Sequence, residues 1–188
     1  MNAAEALQRL KEGNQRFQQN ETLLFTKMQA ELRAELAQAQ TPFAIILGCA
    51  DSRVPPELIF DQTLGDLFTV RIAGNVASPA AIASIEYAVA KLGTRLLVVL
   101  GHSSCGAVKA TLDHLNEPLD LTPSLTALVN TISPAITKTQ TLDQAIAANV
   151  THSRQTLTSQ SSLLASTSNL QIIGATYSLE TGVVTFDE

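Results

Sequence analysis

Charge, cysteine and histidine are all scarce in this 188-residue chain. Charged residues make up 15% of it, with 12 Lys and Arg against 17 Asp and Glu, a net charge of −5. No basic stripe exists to neutralise phosphates, which argues against nucleic acid as the main partner. No apolar run approaches the length needed to span a bilayer, so no membrane role is expected. The N-terminal MNAAEALQRLKEGNQRF is amphipathic and lacks the apolar centre of a secretory signal, which predicts a cytoplasmic protein. Only two cysteines occur, Cys49 and Cys105, far apart in the chain. Such a pair reads as a disulfide, a metal pair or two unrelated core residues. Composition alone favours the last reading, because free cysteine packs as a small hydrophobe.

Apolar residues, by contrast, reach 45%, enough for a sizeable core, and the length predicts a single domain over 1–188. Residues 3–18 read as a helix, with Leu7, Leu10 and Phe17 on one face. Residues 26–38 read as a second helix, ended by Pro42. Together they form an N-terminal helical arm over about 1–38. Short apolar runs at 43–48, 67–71 and 96–100 read as buried strands. Pro79 opens a helix that Gly93 closes, and another starts near Ser103 or Ser104 and runs towards Leu115. Helices around 124–132 and 141–164, a strand at 170–175, a turn at Glu180–Gly182 and a last strand at 183–186 complete the pattern. Strands alternating with helices predict an α/β fold, a mostly parallel central sheet flanked by helices.

In such sheets ligands bind beyond the carboxyl ends of the strands. Cys49 directly follows the first strand, in Cys49-Ala50-Asp51-Ser52-Arg53. His102 and Cys105 follow the third, in Gly101-His102-Ser103-Ser104-Cys105-Gly106. Two sulfurs and one imidazole, with no third Cys and no second His nearby, are the donor set of a catalytic zinc, which keeps one position open. Cys105, in the first turn of a helix, would gain thiolate character from the helix dipole. Asp51 leaves two readings open. It closes the site as a fourth ligand, or it pairs with Arg53 and leaves that position to water.

These motifs, CADSRVPPE at 49–57, LFTVRIAGNV at 67–76, SIEYAVAKLG at 84–93 and VLGHSSCGAVKA at 99–110, resemble the β-class carbonic anhydrases. The resemblance extends to LQRLKEGNQRF and to the terminal YSLETGVVTF. It implies one Zn2+ per subunit on Cys49, His102 and Cys105, and a catalytic dyad of Asp51 and Arg53. The implied reaction is reversible hydration of CO2 to bicarbonate and a proton, in a homodimer or dimer-based higher oligomer. Gln40 resembles the glutamine that bonds substrate. Phe68 and Tyr87 resemble an aromatic wall contributed by the neighbouring subunit. Val54 and Gly106 complete the expected substrate lining. Ile46 stands where another subgroup has the tryptophan of a regulatory bicarbonate site, so that regulation is not expected here. Two thiolates offset the metal's charge, which predicts activity rising above neutral pH. His114 and His152, the remaining histidines, are expected to be solvated. Two rival readings are hydrolysis of carbonyl sulfide or carbon disulfide on the same site, and a structural zinc domain.

Overall fold

The computed structural model describes residues 1–23 and 29–187. Strands β1 (Ala44–Gly48), β2 (Leu67–Arg71), β3 (Leu96–His102), β4 (Gln171–Tyr177) and β5 (Val184–Phe186) form one sheet in the order β2-β1-β3-β4-β5. The first four run parallel, and β5 pairs antiparallel with β4. The expected mostly parallel α/β sheet is therefore what is found. Every residue of β1 and β3 is buried, as strands covered on both faces must be. Alternate side chains feed two cores. Ala44, Ile46, Leu96, Val98 and Leu100 face one side, while Ile45, Leu47, Leu97 and Val99 face the other. Each buried Leu or Ile contributes about 1.5–3 kcal/mol, so the two central strands carry much of the core's stabilisation.

Helices α1 (Ala3–Gln19), α5 (Gly106–Asn116) and α6 (Pro123–Ile132) supply the first core. Helix α4 (Pro79–Lys91) and the short α8 (Ser162–Ser166) supply the second. Helix α7 (Leu142–Gln160) serves both, with Ala145 and Ile146 in one and Val150 and Leu157 in the other. It comes close to the sheet because Gly101 and Gly174 lack side chains; a Cβ at either would lie under 3 Å from Val150. Helix α1 is seated in the same way, since a Cβ on Gly13 would meet the Phe60 carbonyl. Buried Asn14 then ties α1 to the C-terminal turn. Its Nδ2 donates to the Ile59 and Gly182 carbonyls, and its Oδ1 accepts from Val184 N–H at 2.9 Å.

Several boundaries differ from the sequence reading. The expected helix at 26–38 is found as α2, Gln29–Leu36, and residues 26–28 lie outside the described residues. The helix expected over 141–164 is two helices. Ser161 leaves helical geometry, caps α8 through Leu164 N–H and donates to Glu86. Its hydroxyl thus competes with helix continuation. Three elements had no counterpart in the reading, α3 (Pro56–Ile59) and the 3-10 turns at Ala73–Asn75 and Ser133–Ala135. Strand β3 runs on to His102, two residues beyond the expected end, because parallel pairing with β4 continues to Tyr177.

Candidate metal centre

Parallel pairing of Gly48 with Leu100 sets the ends of β1 and β3 side by side. Cys49 leaves β1 at that edge, and His102 is the last residue of β3. Ser104, at a positive φ of 56°, then turns the chain so that Cys105 comes back towards both. The ligand atoms of Cys49, His102 and Cys105 all lie within 4.8 Å of one another, and the three residues are buried. Cys105 is the residue that precedes α5, not a member of its first turn as the sequence suggested. The amides that favour its thiolate are those of Val108 and Ala107.

The donor chemistry fits zinc. The Nδ1 atom of His102 lies 2.9 Å from the Ser103 carbonyl, which can only accept, so Nδ1 carries a proton. That leaves Nε2 as the atom able to bind a metal, and it is buried with no hydrogen-bond partner among the described residues. The Gly74 amide donates to Cys49 Sγ at 3.4 Å. Each sulfur perturbs the ionisation of the other. The Cys105 thiol draws Cys49 down to about 4, against burial and with help from His102 and the amides of Asp51 and Gly74. Cys105 is pushed up by Cys49 and by burial. For His102, burial alone would lower the pKa, but the Cys49 sulfur and the Ser103 carbonyl raise it. A cation suits this buried set, because thiolate is the form that binds metal.

Asp51 does not belong to this group of three. Arg53 grips both its oxygens, Nε to Oδ1 at 3.0 Å and Nη2 to Oδ2 at 2.7 Å, and Arg53 N–H adds a third bond to Oδ1. These bonds hold the carboxyl well below the usual carboxylate range, against its partial burial. The loop itself is pinned by Arg71, whose guanidinium donates to the carbonyls of Cys49 and Asp51.

The remaining expected site residues fall in two groups. Val54 is buried in the same core as Cys49 and Cys105. Gly106 opens α5, with open space where a Cβ would be. Phe68, on β2, and Tyr87, on α4, pair at 6.4 Å between ring centroids, and Phe68 packs against the core on the opposite face of the sheet. Tyr87 is 51% exposed, and Gln40 is exposed ahead of β1. This single chain does not bring these three to the ligands. Neither remaining histidine joins the cluster. His114 accepts from Leu119 N–H at the end of α5, and His152 lines a groove with Ser78, Asn130 and Thr156. Two residues that touch the centre, Gly74 and Arg71, were given no role by sequence reasoning. Both lie inside the segment VRIAGN, so their positions were visible, but which atoms they reach was not.

A family model described as "Carbonic anhydrase" matches residues 44–184 of the chain. The chain belongs to the β-class carbonic anhydrase family. The carbonic anhydrase of Mycolicibacterium smegmatis is 48% identical over 135 residues, 72% of this chain and 65% of that protein. Carbonic anhydrase 2 of Mycobacterium tuberculosis is 52% identical over 116 residues, 62% of this chain and 56% of that protein. The chain thus spans less than two thirds of the length of these relatives. Among solved structures, the β-carbonic anhydrase CafA of Aspergillus fumigatus superposes with a TM-score of 0.74 at 26% identity, covering 98% of this chain and 90% of that one. The β-carbonic anhydrase CcaA gives a TM-score of 0.76 at 28% identity, covering 98% and 88%.

Proposed function

We propose that this protein catalyses the reversible hydration of CO2 to bicarbonate and a proton, with zinc held by Cys49, His102 and Cys105. The observation that carries the reading is the division of labour at the site. Three buried donors converge, while Arg53 occupies both oxygens of the carboxylate that would otherwise complete the set. When bound, zinc supplies the Lewis acidity that makes hydroxide available near neutral pH.

The chain's own residues do the rest. Asp51, kept ionised by Arg53, accepts a hydrogen bond from the nucleophile and fixes its orientation towards carbon. Arg53, bonded to both Asp51 oxygens, would keep that carboxylate from joining the ligands of a bound zinc. Val54 gives the apolar CO2 a wall beside the ligands. Gln40, Phe68 and Tyr87 lie apart from the ligands within one chain. We assign Phe68 and Tyr87 to a site completed by a second copy, in a homodimer or a dimer-based assembly, and Gln40 to the substrate oxygen. One sheet carries both cores, which supports a single domain with its N-terminal arm laid against it. No helix among the described residues is long and apolar enough to cross a membrane, and we place the protein in the cytoplasm.

The rival readings are not favoured. A structural zinc domain requires a fourth fixed ligand and has no use for Arg53. The sulfur-containing substrates have no observation of their own here. Stopped-flow CO2 hydration, run beside carbonyl sulfide and carbon disulfide hydrolysis, decides. Hydration is expected to vanish on chelation and return with stoichiometric zinc. Zinc-loaded protein that does not hydrate CO2 would overturn the assignment.

A further inference from the structure

We propose that Asn149 is a positioning residue for the Cys49 thiolate, acting through the backbone of Gly74. The proposal rests on the reading of Cys49 as a metal ligand.

Asn149 lies on α7, far from the ligands in sequence, and is 1% exposed. Its neighbours on the buried side of the helix are Ala145, Ile146, Val150, Ser153 and Leu157. A carboxamide in such company needs a partner, because an unpaired buried amide is costly. Its Nδ2 donates to the Gly74 carbonyl at 2.8 Å. Gly74 in turn donates its N–H to Cys49 Sγ.

Gly74 requires such an anchor. It sits at φ 67° and ψ 20°, a conformation that glycine adopts without penalty but also leaves easily. Nor can a side chain replace glycine here. A Cβ would lie 2.8 Å from Ile132 Cδ1 and 3.3 Å from Ala107 Cβ. The turn is therefore held by bonds to its backbone. Asn75 N–H to the Ile72 carbonyl and Ile72 N–H to the Gly48 carbonyl fix its β1 side. Asn149 fixes its other side. With the carbonyl clamped, the N–H of the same residue stays aimed at sulfur. An N–H donated to a thiolate draws electron density from it and sets its direction. Asn149 thus couples the packing of α7 to one ligand of the metal centre.

The test uses Asn149→Leu, similar in size and without the donor, beside Leu157→Ala, a cavity variant on the same helix away from the turn. Each is loaded with zinc for chelator competition and with cobalt for the thiolate-to-cobalt charge-transfer band. Asn149→Leu is expected to weaken zinc binding about tenfold and to shift the cobalt band. Leu157→Ala is expected to lower Tm while leaving both unchanged. Wild-type affinity and spectrum in a folded Asn149→Leu would overturn the proposal. Absence of the charge-transfer band in the wild type would instead overturn the reading of Cys49 as a ligand. Should Asn149→Leu not fold, NMR of the unmutated protein loaded with a spin-active cadmium isotope reads the same link. Scalar coupling from the Gly74 amide proton to the metal supports it, and no coupling overturns it.

Discussion

Two arginine–aspartate pairs lie at opposite ends of this molecule's economy of contacts. Arg16 on α1 reaches Asp61 at 2.5 Å, and the Asp61 side chain is wholly buried. Its other oxygen accepts from Leu23 N–H, so the carboxylate is used up in joining α1 to the loop after α3. Arg53 and Asp51 are two residues apart, and the Arg53 side chain is 53% exposed. Their side chains bond each other and, among the described residues, join no distant segment. The same chemistry therefore serves two ends. Where a buried carboxylate bonds both an arginine and a backbone N–H far from it in sequence, the pair is a clamp. Where a local pair sits at an open strand end beside Cys49, it holds a charged carboxylate in place.

Breaking the clamp should have the larger thermodynamic effect. Arg16→Ala leaves a buried carboxylate without its counter-charge and is expected to cost about 3 kcal/mol. Urea denaturation measures it; a loss too small to detect would mean that Asp61 finds water. Breaking the local pair should instead show in turnover. Arg53→Ala is expected to lower the CO2 hydration rate about 100-fold, through loss of orientation. Metal analysis should show zinc retained, and the melting temperature should be near wild type. Unchanged turnover would make Arg53 a surface charge.

Acid should reveal the smallest difference. The folded pKa of Asp51 lies below its ordinary value. Its contribution to stability is then fully present above about pH 4, the unfolded value, and is lost as pH falls through the lowered folded value. Solvent screens a half-exposed pair, so Asp51→Asn should alter stability less than Arg16→Ala does. Whatever difference exists at neutral pH should shrink in acid. Denaturation midpoints for both proteins across the acid range give the comparison, and a gap that widens on acidification would contradict it.

Much of the clamp was invisible in the sequence, while the local pair was plain. Asp51 and Arg53 stand within one short motif, so their meeting depends only on local backbone. Arg16 and Asp61 meet because Gly13 lets α1 approach Phe60, a contact that no periodicity displays. Asn149 shows the intermediate case. Its place on the buried side of α7, among Ala145, Ile146, Val150 and Ser153, marks it as a polar residue that needs a partner. That its partner is Gly74 could be known only from the packed structure. Helix ends behaved likewise. Ser78 and Pro79 start α4 by local chemistry, whereas the break at Ser161 depends on Glu86 across the core.

By itself the sequence determined the alternation of strands and helices, the placement of Cys49, His102 and Cys105 at strand ends, and the Asp51–Arg53 pair. Each follows from short-range rules of periodicity, turns and neighbouring charge. Only the tertiary structure decided the strand order β2-β1-β3-β4-β5, and with it the convergence of the ligands. Adjacency of β1 and β3 is what sets two distant motifs against each other. It arises from the burial of both faces of the sheet by helices drawn from the whole chain, which no local stretch encodes. Phe68, by contrast, packs against the core of the far face, away from that of Cys49 and Cys105.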